Sequence, residues 1–447
     1  MADKNTYTNS LKDFVSHPVA TAPSWVTDIR MSAAERFAEQ GFPTTKNEEW
    51  RFTRVRPLLQ HDFTVRKHAP PDGLPDDQLS DLAFDDSAFH RFVFVDGHFA
   101  EYLSSTECPA GLEIRSLRRT LESDDPLVRQ NLGKHAAADR NPFVALNTGY
   151  LFDGAVVHIA RGVSVDKPIH LLFVSTSDGK KLMSQPRNLI VAEELARATV
   201  VESYHGVGDT VYFTNAVTEA VLAQGAHIEH YKVQKESLSA YHVASLSARM
   251  ERDARFRTQY VSIGGALVRN DVVAVLDGEG VDCRLNGLYV ANGHQHVDNH
   301  TNIEHAKPHC DSHELYKGIL AGRARGVFNG KIHVHPDAQK TDAKQSNGCM
   351  LLSEDAQINT NPQLEIYADD VKCTHGAFVG QIDEKAVFYL RSRGIKSTDA
   401  RHMLVQAFAN EVLERIEVEP LRDRLATDLV AWLSGTRIDT GLPRKGA

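Results

Sequence analysis

Cys373-Thr374-His375-Gly376 is the segment of this sequence whose residue types and spacing best suit chemistry. On a strand, side chains two residues apart share a face. Cys373 and His375 would then present a soft thiolate and an imidazole together, a donor pair fit for iron. Gly376 would let another backbone approach closely. Two donors do not complete a metal site, so a second chain would have to supply the rest. The plainer alternative is a structural cysteine beside an incidental histidine.

A second concentration of donors comprises His294, His296, His300, His305, His309, Cys310, His313, His333 and His335. His294 with His296, and His333 with His335, have strand-face spacing, and two imidazoles on one face can bind a borderline metal. Polar ladders and satisfied hydrogen bonds on a repetitive fold are the competing explanation. Cys283 and Cys310 are separated by nearly the same length of chain as Cys349 and Cys373, so each pair would stack if one structural repeat had that length. Arg391, Arg393 and Lys396 lie at an expected helix end, where cations favour the dipole. A docking surface is the functional alternative.

Several chemistries lack their signatures. Gly318 to Gly326 has no Gly-Lys-Ser/Thr ending, and neither Gly206-Val207-Gly208 nor Gly278-Glu279-Gly280 has a third glycine, so no phosphate-cradling loop is expected. There is no Gly-x-Ser-x-Gly elbow and no His-Glu-x-x-His. Asp369 and Asp370 are adjacent and would face opposite ways on a strand, a poor pair for a carbohydrate-active enzyme. Five cysteines, an odd number with no Cys-x-x-Cys, argue against a disulfide framework and zinc ribbons and for a reducing compartment. The formal charge of −9 supplies no general field for nucleic acid or anionic membranes. No secretory signal or membrane-spanning run is read, so a cytoplasmic location is expected.

Three kinds of texture position these residues along the 447-residue chain. Residues 1–150 read as a mixed helical domain, with a helix capped by Ser24, carrying Trp25, Ile29, Ala33 and Phe37 and ending before Gly41. Arg91 to Ala100 reads as a hairpin turning at Asp96-Gly97. Residues 151–383 are a succession of short strands, which requires a sandwich, barrel, propeller or solenoid. Gly225-Ala226, Asp253-Ala254 and Glu279-Gly280 recur at nearly equal intervals, and Asp337-Ala338, Asp355-Ala356 and Asp370-Val371 recur at shorter ones. Such returns suit a parallel β-helix. Four Asn-Gly pairs, beginning at Asn286, Asn292, Asn329 and Asn347, keep a hairpin-rich sandwich open. Residues 384–447 return to helical period as a small tail domain, with Gly394 as a stop and Pro420 in a first turn.

Pro362 to Ala377, with Phe388-Tyr389-Leu390-Arg391-Ser392-Arg393-Gly394-Ile395 and Asn47-Glu48-Glu49-Trp50-Arg51-Phe52, resembles the SufB/SufD family of iron–sulfur cluster assembly proteins, most of all its SufD branch. The resemblance implies a right-handed parallel β-helix between an N-terminal α/β domain and a C-terminal helical domain. It implies an accessory, non-enzymatic scaffold subunit that helps acquire iron and form a nascent cluster at its interface with SufB. The iron or transient cluster would be shared with SufB. The SufC ATPase would dock on the helical tail around Tyr389, Arg391, Arg393 and Gly394, and this chain itself would bind no nucleotide. Whether isolated copies pair as a homodimer is left open by the sequence. By position, Cys373 and His375 match the pair at the SufB interface, with His375 the better ligand. The SufB scaffold cysteine falls near Asn347, which makes Cys349, two residues on, a third candidate. Gly376 replaces the glutamate expected in SufB, so an accessory half-site is expected rather than a self-sufficient scaffold. A purely structural subunit is the remaining alternative.

Overall fold

The computed structural model describes residues 4–16, 22–66, 74, 79, 82, 84, 88–105, 107–136, 138–176 and 180–436. From Arg197 to Gly380 the chain lays down strands of nine or ten residues alternately in two sheets. Each strand pairs in parallel with the strand two ahead of it. Along one column Arg197, His227, Arg255, Asp282, Asp311, Asp342 and Lys372 are successive partners, so every coil takes up nearly the same length of chain. This is a parallel β-helix, as the repeats and the resemblance imply.

Stacking like side chains on successive rungs gives the fold its interior. Phe94, Phe173 and Tyr204 are register partners, and their rings stack with centroids 4.8 Å apart at both steps. That is the spacing of neighbouring strands. Leu171, Val200, Ile228, Phe256 and Leu285 belong to the same buried cluster. Burial of each such side chain is worth about 1.5–3 kcal/mol. Polar groups also enter the interior, some of them well partnered: Glu202 accepts from Tyr204 at 2.7 Å and Thr218 at 2.8 Å. Lys232 donates to Asn270 at 2.9 Å between the rings of Tyr204 and Tyr260, and burial pushes its ammonium down to about 7.

The returns at Gly225, Asp253 and Glu279 are whole coils, with turn hydrogen bonds from Gly225 N to Arg252 O and from Asp253 N to Glu279 O. The shorter intervals are half coils. Asp337 and Asp370 lie in turns along one edge, and Asp355 lies at the opposite edge. Three of the four Asn-Gly pairs sit inside strands rather than in hairpin turns. At Gly287 an added Cβ would lie 2.2 Å from the Tyr316 ring, so this glycine makes room for a stacked aromatic.

The flanking segments cover the outer faces. Helices Ser24–Gln40 and Pro142–Gly149, with the Glu48–Trp50 turn, cover one sheet through Phe37, Trp50 and Phe143 against Phe213, Tyr241 and Leu267. Helices Glu384–Ser392, Ser397–Leu413 and Glu419–Ser434 cover the other through Val405, Val412 and Leu425 against Val261, Leu288 and Leu315. The hairpin at Asp96-Gly97 forms with both residues at positive φ. Gly41 ends its helix at φ 65°, but Ser24 lies inside that helix with Pro23 as the residue before it. Among the described residues no helix is long and apolar enough to cross a membrane.

Candidate functional site

Among the described residues, the two strands of the final coil, Gln357–Ile366 and Lys372–Gly380, each have a neighbour on one side only. The β-helix therefore ends in two long edges whose outer backbone groups have no strand to bond. Hydrophobic side chains stand out around them, with Tyr367 61% and Phe378 59% exposed.

Cys373 and His375 lie on this last rung. Their register partners, Ala343 and Gln345, are buried and face the space between the sheets. Both candidates therefore share the inner face, and the absence of a further rung leaves His375 exposed. Cys373 is half-buried against Ile332, Val334, Ala343 and Ala368, and burial raises its thiol pKa. Among the described residues, nothing but its chain neighbours comes within 4 Å of the place a Gly376 Cβ would take, so the space beside it is open. Among the described residues no third His, Cys, Asp or Glu completes a metal-binding group.

Cys349 lies elsewhere. Its partner on the last rung is Val379, well beyond His375 along the strand and roughly 13 Å from it at the usual rise per residue. It shares the inner face with Asn347 but is fully buried, and burial pushes its thiol up to about 12. The stacking of Cys349 on Cys373 is corrected by the register. Cys373 pairs with Ala343 and Cys349 with Val379, because a coil at this level is longer than the separation of the two cysteines. Cys310 precedes the strand in which Ser312 is the partner of Cys283, so those two are diagonal neighbours rather than stacked.

Beneath His375 runs a column that sequence reading missed. Glu314, Gln345 and His375 are partners on three successive rungs. Gln345 donates from Nε2 to Glu314 Oε2 at 2.7 Å, while its own Oε1 is buried without a partner. Burial pushes the Glu314 carboxyl up to about 7. Beside it, Asn347 donates across the interior to Thr360 at 2.8 Å. The only signal in the sequence was recurrence at the coil length, which is legible once that length is known.

The histidines between 294 and 335 form no single cluster among the described residues, although His333 meets His335. His300 lies 3.0 Å from both Glu49 and Asp298 on an outer face, whereas His305 is buried against Ser312 at 2.8 Å. His333 contacts Glu365 at 2.9 Å and meets His335 edge-on with centroids 4.7 Å apart. Asp369 and Asp370 sit in a turn, where Asp370 pairs with Lys340. The Asn47–Phe52 segment is a clamp: Trp50 lies 4.2 Å from the Arg269 guanidinium, which donates to Glu49 O at 2.8 Å and Asp298 at 2.6 Å.

The tail presents a separate patch. Phe388 is 72% exposed beside Tyr389, and the Arg393 guanidinium lies over the Tyr389 ring at 5.3 Å. Arg391 is exposed on the same helix, and Gly394 takes φ 91° where that helix stops.

Two family models match in tandem. One, described as SufBD protein N-terminal region, covers residues 1–171, and the other, SUF system FeS cluster assembly, SufBD core domain, covers residues 173–408. The iron–sulfur cluster assembly protein SufD of Escherichia coli is 34% identical over 90% of this chain and 92% of its own. The SufBD family protein slr0076 of Synechocystis is 33% identical over 91% of this chain and 90% of its own. SufD of Bacillus subtilis is 24% identical over 91% and 93%.

Proposed function

As this chain belongs to the SufBD family of the SUF iron–sulfur cluster assembly system, we propose that it acts as a SufD-type accessory subunit rather than as an enzyme. It joins SufB through the open end of the β-helix and helps to acquire iron and shape a nascent cluster there. The SufC ATPase docks on the exposed face around Phe388, Tyr389, Arg391 and Arg393, and nucleotide stays with that subunit. The assembly works in the cytoplasm.

One observation carries this reading: a thiol and an imidazole on the inner face of a last rung that has no following strand. An edge of this length is a template for strand addition by a second chain. The donors present suit iron or an iron–sulfur cluster as cargo, since thiolate and imidazole both bind it. They make half of a coordination set, and SufB supplies the remainder. His375 is the principal ligand because it is the accessible member of the pair. Both donors bind metal only when deprotonated, so metal and proton compete for them.

The test is anaerobic co-expression with SufB and SufC, followed by absorption spectroscopy of the purified complex. His375→Ala should leave the complex assembled and remove most of the iron–sulfur absorption, with Cys373→Ser giving a smaller loss. Full absorption in the His375→Ala complex would refute the assignment.

A further inference from the structure

A second concavity lies on the opposite side of the sheet from the interior, and the proposed role makes no use of it. It is an open cleft of about 630 Å³ between the Phe52 to Pro57 segment and the first residues of successive rungs. Tyr241, Leu267, His296, Arg325 and Gln357 are register partners in one column. Rungs are about 4.8 Å apart, so the floor passes from apolar to cationic over roughly 14 Å. The preceding turns add His294, Arg323 and Asp355, and Arg54 projects from the facing wall.

The charge in this cleft is lopsided. Arg323 has Asp355 at 3.4 Å. Among the described residues, Arg54, Arg325 and His294 have no side-chain partner of either kind, although the chain as a whole carries −9. Two guanidiniums thus line one hollow whose single lining carboxylate, Asp355, is paired with Arg323. Guanidinium forks match phosphate oxygens in geometry and charge. At the other end Tyr241 and Leu267 form an apolar floor, and Phe52, 45% exposed, forms a side wall. The volume falls within the range of small-molecule sites, which are typically apolar with a few placed polar groups.

We propose that this cleft binds a small phosphate ester, its phosphate held between Arg54 and Arg325 and its apolar body lying toward Tyr241, Leu267 and Phe52. The site is independent of His375 and Cys373. An acidic segment of another protein would also answer the arginines, but the concave form and the apolar floor at the other end favour a small molecule.

Titration calorimetry on the isolated full-length chain tests this with inorganic phosphate, pyrophosphate and phenyl phosphate. Saturable binding is expected for all three, with phenyl phosphate at least several-fold tighter than inorganic phosphate. Arg54→Ala and Arg325→Ala should each weaken binding about tenfold, as expected for loss of a charge-assisted contact. Neither side chain has a partner to lose, so the variants should fold, which circular dichroism checks. The proposal is overturned if none of the probes binds, if the double variant binds as well as the wild type, or if phenyl phosphate gains nothing over phosphate. Loss of assembly with another protein chain in Arg325→Ala, without phosphate binding by the wild type, would overturn it in favour of a protein interface.

Discussion

Gln345 spans two rungs of the interior, donating to the Glu314 carboxylate at 2.7 Å while occupying the position directly below His375. This places an acid that burial makes reluctant to ionise behind an exposed imidazole.

The acid should show itself in stability. Burial pushes the Glu314 carboxyl from 4.5 up to about 7, so between those values the native state holds a proton that the unfolded state releases. Stability therefore falls as pH rises through this window and stays lower above it. Glu314→Gln should remove this dependence. Its gain relative to wild type should be on the order of 3 kcal/mol larger at pH 8 than at pH 5, read from denaturant unfolding at the two values.

Gln345 should matter to metal loading without touching metal. A histidine ligand usually donates its second ring N–H to a fixed acceptor, and loss of such an acceptor costs about 10–100-fold in affinity. Gln345 Oε1 is buried and unpaired on the rung beside His375. Gln345→Leu should lower the iron affinity of the assembled complex by about tenfold, with Gln345→Glu restoring part of it. Equal loading in all three proteins would remove Gln345 from the account.

Arg269 should control attachment of the N-terminal segment. Its guanidinium is buried with Asp271 and Asp298, both at 2.6 Å, under the Trp50 ring. Removing one partner of a buried pair typically costs about 3–5 kcal/mol, and Arg269→Ala should fall in that range. Burial alone would raise the Asp298 carboxyl, but Arg269 and His300 overcome it and hold it well below the usual range. A depressed carboxylate stabilises above its unfolded value of about 3.8 and loses that contribution as pH falls. The deficit of the variant should accordingly be largest above about pH 4 and shrink as pH falls below it, read from denaturant unfolding followed by tryptophan fluorescence.

Alkylation should sort the cysteines. Cys283 and Cys349 are fully buried, and burial holds the Cys349 thiol near 12. Cys373 is only half-buried at the open end. Iodoacetamide on the native chain should label Cys373 well before Cys283 or Cys349, by peptide mass spectrometry, and the order should collapse in denaturant.

The architecture was legible because a β-helix writes its period into its turns, as Gly225, Asp253 and Gly280 show. The half-period at Asp355 was misleading only until two edges were recognised. Columns were harder. Coil length varies, being shorter from Tyr241 to Leu267 than from Arg325 to Gln357, and a slip of a single position moves a side chain to the other face. Hence spacing alone pairs Cys349 with Cys373 and passes over Glu314 and Gln345. His300 and His305 are close in sequence, yet an odd number of steps along a strand puts one on each face, which no count of histidines conveys. The role of Glu49 and Trp50 had no local signal, because their partners Arg269 and His300 belong to strands laid down much later in the chain.

An unfinished last rung also bears on supply. Copies synthesised in excess of their complement would carry two naked strand margins into a crowded milieu, the same margins from which fibrils grow. Balanced translation, or rapid disposal of surplus chains, is thus a condition that this geometry imposes on any cell that makes it.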